Sequence, residues 1–156
     1  MPPITPFLWF DDNAEEAVVF YISIFPNSRI ASMARYGENM PGEPGKVMTI
    51  DFELDGTRLV ALNGGPVYAF TPAVSLFISC REQAEVNHYW DNLSAGGEVQ
   101  QCGWLTDRFR LSWQVAPEAL GRLMSDPDPE RVQRVVQAML KMVKLDVAEL
   151  QRAYDG

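Results

Sequence analysis

Residues 7–25 read FLWFDDNAEEAVVFYISIF and residues 74–93 read VSLFISCREQAEVNHYWDNL. Each stretch starts with a short apolar run and continues with apolar residues at helical spacing, which predicts a strand followed by a helix. The pairs of apolar residues that lie 69 positions apart are Phe20 with Tyr89, Tyr21 with Trp90, and Ile24 with Leu93. A fixed offset of this kind indicates an internal repeat. The sequence therefore predicts two copies of one module.

The first module, at about residues 1–66, continues with β-rich segments. Residues 29–36 and 46–54 predict strands on either side of a Gly- and Pro-rich loop. Asp55-Gly56 then stands between two β-rich runs, which is a strong hairpin signal, so residues 58–63 predict the returning strand. The predicted order is β-α-β-β-β.

The second module, at about residues 73–116, is more compact, and a helical segment follows it. After a helix that ends near residue 93, short strands are predicted near 98–102, 106–109 and 111–115. Residues 117–156 predict helices, because Asp128-Pro129 and Asp146 are typical helix starts. The apolar stripe between residues 132 and 143 predicts core packing or a subunit contact. We expect one α+β domain over residues 1–156.

Composition limits the possible partners. The chain has 156 residues, is 47% hydrophobic and 22% charged, and carries a formal net charge of -8. This acidic balance disfavours nucleic acid and anionic membrane surfaces. The opening Met-Pro-Pro lacks the basic and apolar regions of a secretion signal, so we expect a cytoplasmic protein. The long uncharged stretch from Leu59 to Cys80 is interrupted by Gly and Pro, which predicts two strands and a turn rather than a membrane helix.

Several local motifs occur in a fixed order along the two modules. They are Phe7-Leu8-Trp9-Phe10-Asp11, Asn13-Ala14-Glu15-Glu16-Ala17, Ala61-Leu62-Asn63-Gly64-Gly65-Pro66, Gln101-Cys102-Gly103-Trp104, Ser112-Trp113-Gln114, Ser125-Asp126-Pro127-Asp128 and Ala138-Met139-Leu140-Lys141-Met142. Together with two βαβββ modules, they resemble the PhnB-like family, often labelled 3-demethylubiquinone-9 3-methyltransferase, of the vicinal oxygen chelate superfamily. That superfamily includes glyoxalase I, bleomycin-resistance proteins and extradiol dioxygenases. The resemblance covers essentially the whole chain.

The resemblance implies a curved mixed sheet around a cleft, with the helices outside, usually in a homodimer. It also implies four positions at which many superfamily members hold a divalent metal. In this chain they fall near Thr5 to Phe7 and at Asn63, Ser75 and Gln114, which offer at most neutral oxygen donors. No imidazole, thiolate or carboxylate stands there to select a transition metal. We therefore predict no metal and no cofactor.

A small-molecule site is the interpretation that these positions favour. Strand alternation lets Phe7 and Trp9, Ala61 and Asn63, Ser75 and Phe77, and Ser112 and Gln114 face the cleft. The candidate ligand-binding residues are Phe7, Trp9, Asn63, Ser75, Phe77, Trp104, Ser112 and Gln114. Aromatic rings with a few amide and hydroxyl groups suit a small planar or amphipathic ligand. The alternative is that Phe7, Trp9 and Phe77 fill the core of the sheet.

Candidates for acid–base or nucleophilic chemistry are few. His88 is the only histidine, and its place in the second helix beside an apolar pair predicts that it faces outward. The remaining candidate bases are Asp51, Glu53 and Asp107, each of which is explained more simply as a solvated or strand-edge charge. The only plausible nucleophile is Cys102, and it has no histidine partner. Both cysteines predict half-buried, reduced thiols.

Three functions remain open at this point. The first is a metal-independent superfamily member that binds an unknown small metabolite or acts on it. The second is a sequestering protein of the bleomycin-resistance type that traps a cationic ligand, which the negative charge favours slightly. The third, a demethylubiquinone methyltransferase, is disfavoured because the chain lacks a GxGxG-like loop and is short for the doubly wound domain that usually holds the methyl donor.

Overall fold

A computed structural model describes residues 4–156 of the chain, so the opening Met-Pro-Pro lies outside the described residues. The chain forms two compact units, of which the first ends at Phe70 and the second is Thr71–Gly156. Each unit contains one predicted module and builds its own four-stranded mixed sheet. The predicted α+β class with two βαβββ modules is confirmed.

The first unit follows the predicted element order. Its elements are β1 (Phe7–Phe10), α1 (Ala14–Ile24), β2 (Arg29–Arg35), β3 (Val47–Leu54) and β4 (Thr57–Asn63). The sheet order is β1-β4-β3-β2, with β1 parallel to β4 and the other pairs antiparallel. Asp55 and Gly56 both have positive φ, at 46° and 84°, as a two-residue hairpin turn requires. The hairpin predicted from Asp-Gly is therefore confirmed.

Helix α1 covers one face of this sheet. Its fully buried residues recur at three- and four-residue spacing, which is why the sequence forms an amphipathic helix here. The residues of this core are Ala14, Ala17, Val18 and Tyr21 of α1, Ile50 and Phe52 of β3, and Leu59 and Ala61 of β4. The opposite face of the sheet is not covered by α1.

The second unit repeats the pattern and adds three helices. Its elements are β5 (Leu76–Cys80), α2 (Gln83–Ser94), β6 (Glu98–Val99), β7 (Trp104–Thr106), β8 (Ser112–Pro117), α3 (Glu118–Met124), α4 (Pro129–Leu140) and α5 (Val147–Asp155). The sheet order is β5-β8-β7-β6, with β5 parallel to β8. The strand predicted over 106–109 is wrong, because the chain turns there: the Arg110 amide donates to the Asp107 carbonyl at 2.9 Å, and Arg110 has a φ of 72°.

The C-terminal helices form a small core of their own around Leu123, Val135 and Leu150. Asp128 and Asp146 cap α4 and α5, each accepting a backbone amide at 3.0 Å, as predicted. The predicted apolar stripe divides between two environments. Val135 is buried, whereas Val143 is exposed, as is Leu140 beside the stripe. Among the described helices, none has the length and apolarity that crossing a membrane requires.

Candidate functional site

One sheet face of the second unit gathers five of the residues predicted to bind a ligand. Gln114 of β8 is paired with Phe77 of β5 on one side and with Trp104 of β7 on the other, and Ser112 is paired with Thr106. Side chains of paired residues point to the same side of a sheet. Ser75 stands two residues before Phe77 and bonds Gln114. Ser112 is buried, at 1% exposure, so we call only Ser75, Phe77, Trp104 and Gln114 the β8 face.

The register of β8 agrees with the prediction from alternation. Trp113 and Val115 point to the opposite side and are buried, at 2% and 0% exposure. Gln114 is half-buried, and its Nε2 donates to Ser75 Oγ at 2.9 Å. The Oε1 atom of Gln114 accepts no hydrogen bond from the residues that the structure describes, so it remains an available acceptor.

The exposed Phe77 and the half-buried Trp104 flank these polar groups. Phe77, the second residue of β5, is 61% exposed. A large apolar side chain gains about 1.5–3 kcal/mol from full burial, which Phe77 does not obtain. The interpretation that Phe77 fills the core is therefore disfavoured.

The corresponding face of the first unit holds fewer of the predicted residues. Phe7 pairs with Val60 and Trp9 with Leu62, whereas Phe10 pairs with Asn63. Asn63 and Ala61 therefore share the helix-covered face with Leu8 and Phe10, and the expectation that they join Phe7 and Trp9 is wrong. The physical reason is that the buried side of β1, formed by Leu8 and Phe10, must align with the buried side of β4.

Asn63 instead joins three parts of the first unit. Its Oδ1 accepts the Ala14 amide at 2.8 Å, its Nδ2 donates to the Val47 carbonyl at 3.0 Å, and its own carbonyl accepts the Tyr36 hydroxyl at 2.5 Å. The residue at the start of α1, Asn13, makes no side-chain cap, so Asn63 satisfies one of the free amides of that helix end. This contact spans 49 residues, and no local sequence signal announces it.

Trp9 is held by its surroundings, whereas Phe7 is exposed. Trp9 Nε1 donates to the Gly65 carbonyl at 2.9 Å, and its ring meets Tyr68 edge-on at 4.9 Å between centroids. A Cβ atom at Gly64 would overlap the Trp9 ring, so glycine is needed there. Phe7 is 59% exposed. The alternative that Phe7 fills the core is disfavoured as it is for Phe77.

An acidic cavity of about 560 Å³ opens at the end of β1 and β4 in the first unit. Four carboxylates line it against one lysine. Its lining includes Asp11, Asp12, Glu15, Glu43, Lys46, Tyr36, Asn63, Gly64 and Gly65. The predicted Gly- and Pro-rich loop forms one wall, and Tyr36 ties that loop to the carbonyl of Asn63. This cavity was not singled out from the sequence, although Asp11-Asp12 and Glu15 stand at a predicted helix start.

The candidate bases in the first unit are occupied by arginines. Arg58 lies 2.6 Å from Asp51, and its hydrogen bond lowers the pKa of that carboxyl below its ordinary value. Arg29 lies 3.2 Å from Glu53. A carboxylate whose pKa is lowered is a weaker base. The interpretation of Asp51 and Glu53 as paired strand charges is thus favoured.

Asp107 is neither solvated nor at a strand edge. It is 2% exposed and accepts the amides of Phe109 and Leu111, at 2.8 and 3.1 Å, and the indole of Trp113 at 2.8 Å. These bonds hold the turn between β7 and β8 closed. The expectation of a solvated or strand-edge charge is wrong here, because this carboxylate exchanges water for three protein donors.

The remaining reactive groups are separated. His88 is exposed on α2, as predicted. Cys80 is fully buried rather than half-buried, and its burial raises the pKa of the thiol to about 12. Cys102 is half-buried, and both cysteines are free. Within residues 4–156, no three His, Cys, Asp or Glu side chains gather in a way that would hold a metal ion.

A family model described as 3-demethylubiquinone-9 3-methyltransferase matches residues 2–116. A solved structure described as a putative 3-demethylubiquinone-9 3-methyltransferase, PhnB protein, from Bacillus cereus is 34% identical, with a TM-score of 0.68. The match covers 74% of this chain and 99% of that one. A search of curated proteins found no match.

More distant structures share the fold. A Pseudomonas aeruginosa protein is 23% identical, with a TM-score of 0.63, over 75% of this chain and 98% of that one. The fosfomycin resistance protein FosX from Listeria monocytogenes, solved with Mn(II) and sulfate, is 15% identical, with a TM-score of 0.50, over 72% and 86% of the two chains.

Proposed function

Because the chain belongs to the PhnB-like 3-demethylubiquinone-9 3-methyltransferase family of the vicinal oxygen chelate superfamily, we propose that it binds a small metabolite on the β8 face without a metal. One observation carries this proposal. Gln114 presents an available amide oxygen between the exposed ring of Phe77 and Trp104. An amide between aromatic surfaces orients a carbonyl, hydroxyl or amine group of a planar or amphipathic molecule.

The chemistry of the residues supports binding without a metal. At the positions where superfamily members often place metal ligands, the second unit has Ser75 and Gln114, and these two side chains bond each other. The first unit has Asn63, both of whose side-chain polar atoms are engaged by backbone groups. Neutral oxygens of this kind are weak ligands for transition metals. Methyl transfer has little support, because the sequence contains no GxGxG-like loop.

The test is a thermal-shift screen of the protein against a metabolite library, followed by titration of each hit. A ligand at a hundredfold its Kd stabilises the folded state by about 2.7 kcal/mol, which such a screen detects. Gln114→Leu should weaken a genuine hit about tenfold, since one lost hydrogen bond of about 1.4 kcal/mol is a factor of ten. Gln137→Leu, on an exposed position of α4, is the matched control. Hits that bind both variants equally would refute the β8 face as the site.

A second candidate, sequestration of a cationic ligand, is favoured by the acidic cavity of the first unit. Four carboxylates against one lysine attract a cation and repel an anion. Titration with a panel of mono- and polyamines tests it. Asp11→Asn with Glu15→Gln should weaken amine binding, whereas Glu16→Gln, whose residue does not line the cavity, should not. Equal amine affinity in all three proteins would exclude this candidate.

The setting we propose is a cytoplasmic homodimer. Two free cysteines suit a reducing compartment. Leu140 and Val143 are 54% and 43% exposed, which gives the C-terminal helices an apolar strip that a second copy would cover.

A further inference from the structure

A short segment that follows the residues matched by the family model lies against the sheet of the second unit. The family model ends at residue 116, and residues 142–147, which comprise most of the connection between α4 and α5 together with the first residue of α5, lie beyond it. We call this segment the strap. It lies against the Gln101–Gly103 turn, which directly precedes Trp104 of the β8 face.

Two consecutive amides of that turn bind the strap. Cys102 and Gly103 both have positive φ, at 62° and 80°, and their N–H groups donate to the carbonyls of Met142 and Val143, both at 2.9 Å. The two amides thus bind two successive carbonyls of the strap. The left-handed conformation is costly for Cys102, so the contacts around it must stabilise it.

The turn is also packed tightly between the strap and β8. The Gly103 carbonyl accepts the Val115 amide at 2.8 Å. A Cβ atom at Gly103 would lie 2.7 Å from the Val115 carbonyl and 3.0 Å from Leu145 Cδ1. Leu145, in the middle of the strap, is fully buried. The strap thus fixes the backbone one residue before Trp104.

Helix α2 holds the strap at its far end. Gln83 accepts the Val147 amide at 2.8 Å through Oε1 and donates to the Leu145 carbonyl at 3.1 Å through Nε2. Lys144 Nζ lies 2.9 Å from Asp91 Oδ1. A single side chain, Gln83, therefore makes two hydrogen bonds to the strap backbone.

We propose that the strap is a positioning element that sets the orientation of Trp104 beside Gln114, with Gln83 as the residue that anchors it. This inference deepens the proposed function, because Trp104 belongs to the β8 face. Its structural part, however, is tested without any ligand. A strap that merely stabilises the fold would change the free energy of unfolding while leaving Trp104 where it is.

The experiment compares Gln83→Leu with Asn92→Ala, a control on the same helix whose side chain bonds only His88 among the described residues. Two readouts are taken under native conditions: amide hydrogen exchange at Cys102 and Gly103, and the indole ¹H–¹⁵N resonance of Trp104, assigned with Trp104→Phe. In Gln83→Leu we expect exchange at both amides to rise at least tenfold and the Trp104 indole resonance to move. The indole resonance of Trp9, in the first unit, should stay in place.

An unmoved Trp104 resonance in Gln83→Leu would overturn the proposal, whether or not amide exchange rises and even if the variant were less stable. Should Gln83→Leu not fold, Lys144→Gln supplies the milder change, with the same two readouts and a smaller expected rise in exchange. Failure of the metabolite screen would count against the proposed function and leave these readouts intact. If the Trp104 resonance shifts while the affinity for a Gln114-dependent ligand is unaltered, the strap orients Trp104 but does not affect ligand binding.

Discussion

Replacing Asp107 with alanine should destabilise the second unit strongly. The carboxylate is 2% exposed and accepts three donors, two of which, the Leu111 amide and the Trp113 indole, belong to buried residues. Each buried donor left without a partner costs about 1–3 kcal/mol. The two together predict a loss of about 2–6 kcal/mol in the free energy of unfolding for Asp107→Ala, measured by urea denaturation followed by circular dichroism.

Asp107→Asn separates the two oxygens of the carboxylate. One oxygen can still accept the Phe109 and Leu111 amides, but the amide nitrogen then meets the Trp113 indole, donor against donor. We expect this variant to lose about 1–3 kcal/mol. In a Trp113→Phe background, where the indole donor is gone, the same change should cost less, and the difference measures the coupling between the two side chains.

Asp128→Ala is the control, since this exposed carboxylate caps α4 through one amide and its loss should cost about 1 kcal/mol. A loss for Asp107→Ala no larger than for this control would refute the reasoning. So would an equal effect of Asp107→Asn with and without the Trp113 indole.

Four further outcomes follow from the structure. Cys102 should react with a thiol reagent in the native protein at pH 8, whereas Cys80 should react only after unfolding. Burial raises the pKa of the Cys80 thiol to about 12. Its contribution to the free energy of unfolding is therefore present below about pH 8.5 and is lost as the pH rises toward 12. Gly64→Ala should displace the Trp9 ring and change its fluorescence, and an unchanged spectrum would contradict this. Elemental analysis of protein purified without chelator should find well under one equivalent of Zn, Ni, Mn or Fe per chain; a stoichiometric metal would disprove metal-independence. Light scattering at micromolar protein should give a dimer mass that Leu140→Asp reduces, and a monomer mass in the parent protein would refute the assembly.

The fold could be predicted well from the sequence because short-range sequence patterns determine the repeat and the turns. Helical spacing in α1, Asp-Gly at the β3–β4 hairpin and the caps at Asp128 and Asp146 are all short-range signals. The strand predicted over 106–109 failed because of a local turn, whereas the faces predicted for β1 and β4 failed for a long-range reason. Alternation fixes which side chains of one strand share a face, as it did for Gln114, but it does not fix which face of β4 aligns with which face of β1.

The contacts of the strap could likewise not be predicted from the sequence. Gln83 and Leu145 are 62 residues apart, and neither stands in a motif that predicts their contact. The turn at Cys102 could not be predicted either, because no local sequence pattern indicates a cysteine with positive φ. Only the glycine that follows it, Gly103, is typical of such a turn.

The two repeats use the same architecture for different purposes, and one position shows how. Val60 in the first unit and Gln114 in the second each pair with the phenylalanine of the adjoining parallel strand, Phe7 or Phe77. In the first unit this place is apolar, and the nearby polar residue, Asn63, is committed to the start of α1. In the second unit the place carries an amide that bonds Ser75 through one atom and leaves the other available. An apolar face binds by area alone, whereas one that also carries an amide fixes the orientation of what it binds. We therefore expect specific recognition on these faces to depend on the second repeat, where Gln114 replaces the valine.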